Sequence, residues 1–206
     1  MRRHPIYILL DTSSSMRGEA IEAVKSNLQS LLSSLKADIL SPESIFVSVI
    51  TYNNTVRVLS PLTSLADFVL PELDIPRSSL TNTGAALEVL CEQYRKEIVR
   101  SGPEKDYSPL LFIMTDGLPS DTMLYKKMTE MLKSYRFAKI IGLIAGSLTK
   151  REHLELLTSD VYTTDLMDRS VFSQFWKWLS VEIKKQVCKD KENDMLPLPP
   201  EEIKLI

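Results

Sequence analysis

The chain is poor in the residues that staple, bend or ligate: two cysteines, six glycines and two histidines in 206 residues. Two cysteines without metal-type spacing exclude a disulfide scaffold and a cysteine-based metal site. So little glycine excludes a collagen-like chain, and a 44% apolar content excludes intrinsic disorder. Positive charge is not in excess either. The 25 Lys+Arg stand against 27 Asp+Glu, a formal net charge of −2, so nothing in the balance calls for a nucleic-acid backbone or an anionic membrane. No apolar run approaches the ~18 residues that a membrane span needs. The opening MRRHPIYILLD imitates a signal peptide, but its apolar run is short, ends in Asp11 and has no small-residue cleavage site. A buried first strand is the better reading. The expectation is a cytoplasmic protein, with Cys91 and Cys188 as free thiols. Cys91 falls at helical spacing with Leu87, Leu90, Tyr94 and Ile98, so it is expected in a core.

What is present fits one large domain. Surface scaling for this mass allows about 70% of the unfolded chain's surface to be buried. Six segments read as strands: Ile6–Leu10, Ile45–Tyr52, Thr55–Leu59, Leu110–Thr115, Ala138–Ala145 and Val161–Thr163. The first is an unbroken apolar run, as a central strand covered on both faces requires. Asn53-Asn54 is a hairpin turn signal between the second and third. Helical periodicity fills the gaps: Ile21 to Leu35, Leu87 to Ile98, Leu124 to Tyr135 after a cap at Ser120 or Asp121, Lys150 to Leu157, and Ser170 to Val187. Trp178 lies off the last helix's apolar stripe and is expected at the surface, whereas Met128 and Met131 are expected in the core. The fold class is therefore α/β: a doubly wound, mainly parallel sheet of about six strands with one antiparallel edge strand and helices on both faces. Residues 1–187 form the domain. Residues 188–206 form a charged, then proline-rich tail (KDKEND, then MLPLPPEEIKLI) that packs along the domain or is offered to a partner.

In an open α/β sheet, ligands collect beyond the C-terminal ends of the strands. The first strand runs into Asp11-Thr12-Ser13-Ser14-Ser15, and Leu110–Thr115 runs into Asp116-Gly117. The loop before the second helix reads Leu80-Thr81-Asn82-Thr83-Gly84. Two carboxylates and several hydroxyls thus converge from three separated segments. Oxygen donors without His or Cys suit a hard cation such as Mg²⁺ or Mn²⁺. Alternate residues of D-x-S-x-S can aim three side-chain oxygens at one point, and a helix starting near Arg17–Glu19 directs N–H groups toward it. The same residues also make good helix caps, and Thr83 is expected to be one. Asp121 and Glu19, near the same rim, read as solvated helix-start acids, and His4 and His153 as structural or exposed.

These stretches carry a family resemblance. DTSSSM, the threonine of LTNTGAAL, and FIMTDG resemble the metal-ion-dependent adhesion site of von Willebrand factor type A domains, over about residues 5–187. Within that superfamily the chain is similar to the cytoplasmic bacterial TerY-type proteins of tellurium-resistance clusters, through PIYILLDTSSSMRGEAIEAV, LFIMTDGLPSD and LPLPPEEIKLI. The resemblance implies that Asp11, Ser13, Ser15, Thr81 and Asp116 hold Mg²⁺, with Mn²⁺ or Ca²⁺ as alternates. It also implies that a protein partner supplies an Asp or Glu to the metal, and that a phosphatase or kinase-like neighbour of the same cluster, in a stress response, is a candidate partner. Two departures stand out: Ser14 where the family often has glycine, which would be strained if φ had to be positive, and Ser79-Leu80 where Gly-Gly is common.

Enzyme readings lack their residues. A dehalogenase-type phosphatase needs D-x-D, and its second acid is here Ser13. G-x-G-x-x-G, the P-loop and the G-x-S-x-G elbow are absent, and no histidine is placed as a general base. The expectation is a non-enzymatic, metal-dependent protein-interaction module. A Mg²⁺-dependent phosphohydrolase and a module that does not use the metal are the alternatives.

Overall fold

In a computed structural model, residues 2–38, 42–73, 80–102, 105–145, 151–164, 169–188 and 204–205 are described. The elements run β1 (His4–Asp11), α1 (Glu19–Asp38), β2 (Ile45–Tyr52), β3 (Val56–Ser64), α2 (Thr83–Glu97), β4 (Leu110–Thr115), α3 (Thr122–Leu132), β5 (Lys139–Ala145), α4 (Glu152–Glu155), β6 (Val161–Thr164), α5 (Arg169–Cys188) and β7 (Lys204–Leu205). The order in the sheet is β3-β2-β1-β4-β5-β6-β7. β1 pairs in parallel with both β2 and β4, β3 returns antiparallel on β2, and β7 lies antiparallel on β6. All six expected strands are present. The two-residue β7 is an addition from the proline-rich tail, whose residues 189–203 and 206 lie outside the described residues.

Alternation along the central strands divides the core into two layers. Ile6, Ile8 and Leu10 of β1 face α1 and α5, packed with Leu28, Leu35, Phe172, Phe175 and Trp176. Tyr7 and Leu9 face α2 and α3, packed with Leu87, Leu90, Cys91, Tyr125 and Met128. Because β4 is also buried on both sides, both of its faces are apolar, and periodicity of two disappears as parallel strands predict. Strand order reverses between β1 and β4, so the crevice that this fold reserves for ligands opens at their C-terminal ends.

Two expectations about the core are corrected. Trp178 is buried, 7% exposed, because β6 brings Tyr162 to 4.8 Å from it and Phe175 reaches it from its own helix. Met131 is instead 36% exposed, in the last turn of α3, one residue before the helix ends at Leu132. Cys91 is buried and free, as expected, and its surroundings push the thiol pKa up by desolvation. The side chain of Cys188 lies outside what is described.

α2 and α3 meet at their first turns, and Gly84 is what permits it. A Cβ at this position would stand 2.4 Å from the Tyr125 backbone nitrogen and 2.8 Å from the Leu124 carbonyl carbon. Both are backbone atoms that a rotamer change cannot move. Gly84→Ala is expected to destabilise the domain by about 1–3 kcal/mol, lowering the thermal midpoint by several degrees in a denaturation scan. An unchanged midpoint would mean that the two helices separate freely.

Candidate metal centre

Asp11 closes β1 and is 1% exposed. Its Oδ1 accepts the Ser13 backbone N–H at 2.8 Å, which folds the loop back on itself. Its Oδ2 accepts the Thr115 hydroxyl at 2.8 Å, tying the end of β1 to the end of β4. The Ser13 hydroxyl lies 3.0 Å from that of Ser15 and donates to Asp116 Oδ1 at 3.3 Å. Thr81 arrives from the third segment: its Oγ1 would lie 3.2 Å from a Cβ on Gly117, so it sits against the residue that follows Asp116. All five residues named from the sequence therefore meet at the crevice between β1 and β4. Ser13 and Thr81 are buried, Asp116 is half-buried and Ser15 is exposed, so the cluster opens to solvent on the Ser15 side.

The loop after β1 solves its turn differently from the expectation. Ser14–Met16 form a 3-10 turn whose Met16 is buried, and α1 begins at Glu19, within the expected range. The positive φ in this stretch falls at Gly18 (φ 73°), and among the described residues no residue other than glycine has one. Ser14 is therefore unstrained. Of the Ser79-Leu80 pair, Ser79 lies outside the described residues, and Leu80 is 49% exposed beside the site.

The supports of the cluster were not visible in the sequence. Asn53, read only as a hairpin turn, is 5% exposed. Its amide donates to the Thr12 hydroxyl at 3.0 Å, and its carbonyl accepts the Asn82 N–H at 2.8 Å, holding two site loops together. Ser120 pins Thr81 twice, accepting its N–H at 3.0 Å and donating its own N–H to the Thr81 carbonyl at 2.8 Å. Asp121 is not a solvated acid. Its carboxylate accepts the Gly84 and Ala85 N–H groups at 3.0 and 2.8 Å, so it caps α2 from the neighbouring helix. Thr83 does not cap: its buried Oγ1 has no hydrogen-bond partner among the described residues. The signal that was present, Thr115 in Thr-Asp-Gly, becomes meaningful only when β4 is placed beside β1. His4 stacks on Tyr107 at 4.0 Å and His153 is buried beneath Tyr125, so neither joins the cluster.

The donor set fits a hard cation. Burial, and then the charge of Asp116, push the Asp11 carboxyl up to about 6, against hydrogen bonds from Ser13 and Thr115 that pull it down. Both Asp11 oxygens accept from neutral donors, so these bonds bring no positive charge to Asp11. Among the described residues no group of three or more His, Cys, Asp or Glu is placed to hold a metal. This set has two acids, and the remaining donors are hydroxyls, the chemistry of Mg²⁺, Mn²⁺ or Ca²⁺ rather than of a soft metal.

A family model for the von Willebrand factor type A domain matches residues 6–172. No curated protein matches the chain in sequence. Among solved structures, proximal thread matrix protein 1 from the mussel byssus superposes with a TM-score of 0.65 at 19% identity, over 89% of this chain and 48% of that one. The same mussel protein with a zinc-occupied MIDAS motif gives 0.65 at 15% identity, over 91% and 46%. The ArnB paralog VWA2 from Sulfolobus acidocaldarius gives 0.62 at 17% identity, over 85% and 45%. The chain spans about half the length of these proteins, and at such identities the likeness is one of fold.

A carboxyl raised from 3.8 to about 6 binds more protons folded than unfolded between those values. Its stabilising contribution is present below the lower value and is lost as pH rises through the upper one. In EDTA the thermal midpoint of Asp11→Asn should therefore exceed that of the wild type at pH 7, and the gap should narrow as pH falls toward 5. An Asp11→Asn protein less stable than the wild type at pH 7 in EDTA would show that the carboxylate is not the strained group.

Proposed function

The chain belongs to the von Willebrand factor type A family, and from that premise we propose that it is a non-enzymatic adaptor that binds protein partners through a divalent cation. The observation that carries this reading is the Asp11–Ser13–Asp116 contact, which brings two acids together over hydroxyls at the ligand crevice of the sheet. Asp11, Ser13, Ser15, Thr81 and Asp116 would hold Mg²⁺. When bound, the cation supplies a positive charge that an Asp or Glu side chain of a partner can complete. The chain's own residues do the rest. Thr115 and the Ser13 N–H fix the Asp11 carboxylate, Ser120 and Asn53 fix the threonine loop, and the exposed Ser15 side leaves an approach for the partner.

Selectivity is assigned to the rim. Leu80, Leu118 and Met123 are 49%, 51% and 82% exposed on the two segments that flank Thr81 and Asp116. Apolar groups around a polar centre exclude water from a docked acid and strengthen its charge contact. Within the family we place the chain with the TerY-type proteins of bacterial tellurium-resistance and stress-response clusters, as a scaffold for a phosphatase or kinase-like neighbour. The stretches PIYILLDTSSSMRGEAIEAV and LFIMTDGLPSD support this placement.

Millimolar Mg²⁺ should raise the thermal midpoint of the wild type by several degrees, because binding at a hundredfold excess over Kd adds about 2.7 kcal/mol. Asp11→Ala should show no such rise, and a flat midpoint in the wild type overturns the metal. With a partner identified, EDTA and Asp11→Ala should both abolish capture. Met123→Ser should weaken capture while leaving the Mg²⁺ response intact. Metal-dependent phosphate release from model substrates would instead assign the site to hydrolysis.

A further inference from the structure

The other end of the sheet carries a feature that the metal centre does not explain. A cavity of about 650 Å³ lies between the last turns of α2 and α3 and the segment leading into β4. Four cations line it, Arg95, Arg100, Lys105 and Arg136, and none of them is in an ion pair among the described residues. Among the described residues the acid in its wall is Asp106, 4% exposed and already committed: Arg3 donates to both of its oxygens at 2.8 and 2.6 Å, and the Val99 N–H reaches it at 2.8 Å. The described lining is thus positive in a chain whose net charge is −2.

Helix ends account for little of this charge. Arg95 stands in the last turn of α2, where the helix dipole favours a cation. Arg100 and Lys105 follow that helix, and Arg136 stands four residues past Leu132, the end of α3, beyond the turn over which the dipole acts. Between the cations the wall is mixed: Ser108 and Ser134 stand beside Val99, 43% exposed, and Met131, 36% exposed. Tyr107 offers no free ring, because His4 stacks on it at 4.0 Å and the Arg2 guanidinium lies 3.8 Å from its centroid. Tyr94 and Tyr135, also in the wall, meet edge to face at 4.9 Å, and the guanidinium groups beside them pair with carboxylates in the plane.

We propose that this cavity is a second binding site, for an acidic polypeptide segment carrying an apolar side chain. It stands independently of the metal reading. Pro109, in its wall, directly precedes β4, and Asp116 directly follows it, so the two sites lie at opposite ends of one six-residue strand, about 20 Å apart. One chain can then hold two acidic segments at a fixed separation, which converts two weak contacts into one firm attachment.

The test uses the full chain in EDTA, so that no metal at the first site contributes. The probe is a fluorescein-labelled peptide of glutamates flanking a single leucine, followed by anisotropy at low salt. Saturable binding is expected, unchanged in Asp11→Ala, weakened by added NaCl as exposed charges are screened, and weakened when the leucine is replaced by serine. The double variant Arg95→Glu/Arg136→Glu should lose about tenfold or more in affinity. Its thermal midpoint reports folding, and the exposed pair Arg100→Glu/Lys105→Glu serves if the first pair does not fold. Absence of saturable binding, or equal affinity after both charge reversals, overturns the proposal. So does competition by inorganic phosphate or ATP at the peptide's own concentration, or retention on phosphatidylserine vesicles as tight as on the peptide.

Discussion

Two carboxylates brought together at the ends of neighbouring parallel strands set the terms for the rest of the molecule. Asp11 and Asp116 repel, and burial of the first makes the repulsion more expensive. A fold dominated by hydrophobic packing tolerates such a pair where something outside the chain relieves it, and everything within reach is arranged to hold the pair still. Thr115 crosses from β4 to Asp11, the Ser13 hydroxyl spans to Asp116, and neither donor carries a charge that would neutralise the acids permanently. The bonds that hold the pair thus leave its charge for the proposed cation to offset.

Holding three loops in register over that deficit takes apparently unrelated features. The β2–β3 turn supplies Asn53, whose amide and carbonyl reach two different loops. The start of α3 supplies Ser120 to Thr81 and Asp121 to the open N-terminus of α2, so the threonine loop and its helix are gripped from the same side. Gly84 lets that grip close to backbone contact. Each of these bonds is between segments far apart in the chain, and each depends on the strand order that places β1 between β2 and β4.

This is also why the sequence was legible in one respect and silent in another. Strands and helices announce themselves through periodic burial, and the runs at Ile45–Tyr52 and Leu110–Thr115 match the observed strands at both ends. The five oxygen-bearing residues were legible because three short motifs had to fall at strand ends. Asn53 and Asp121 carry no such pattern, since a turn asparagine and a helix-start aspartate look alike whether they face water or another loop. Trp178 was misplaced because a stripe on one helix cannot show that Tyr162 on β6 widens the buried face. The basic cavity was equally hidden: its cations are scattered between residues 95 and 136, and only the turns that end α2 and α3 gather them.

The sheet's two borders are closed by different means. β3 carries an exposed Arg57 and Pro61, with shifts in its register against β2, while Lys204 and Leu205 pair with Tyr162 and Thr163 along the opposite border. Charge, proline and register shifts are the devices that keep an outer strand from recruiting a stranger's backbone. With the β3 border obstructed in this way, growth of the sheet by strand addition on that side is discouraged. The two proposed contacts with other proteins lie accordingly at the ends of the strands and not along the borders of the sheet.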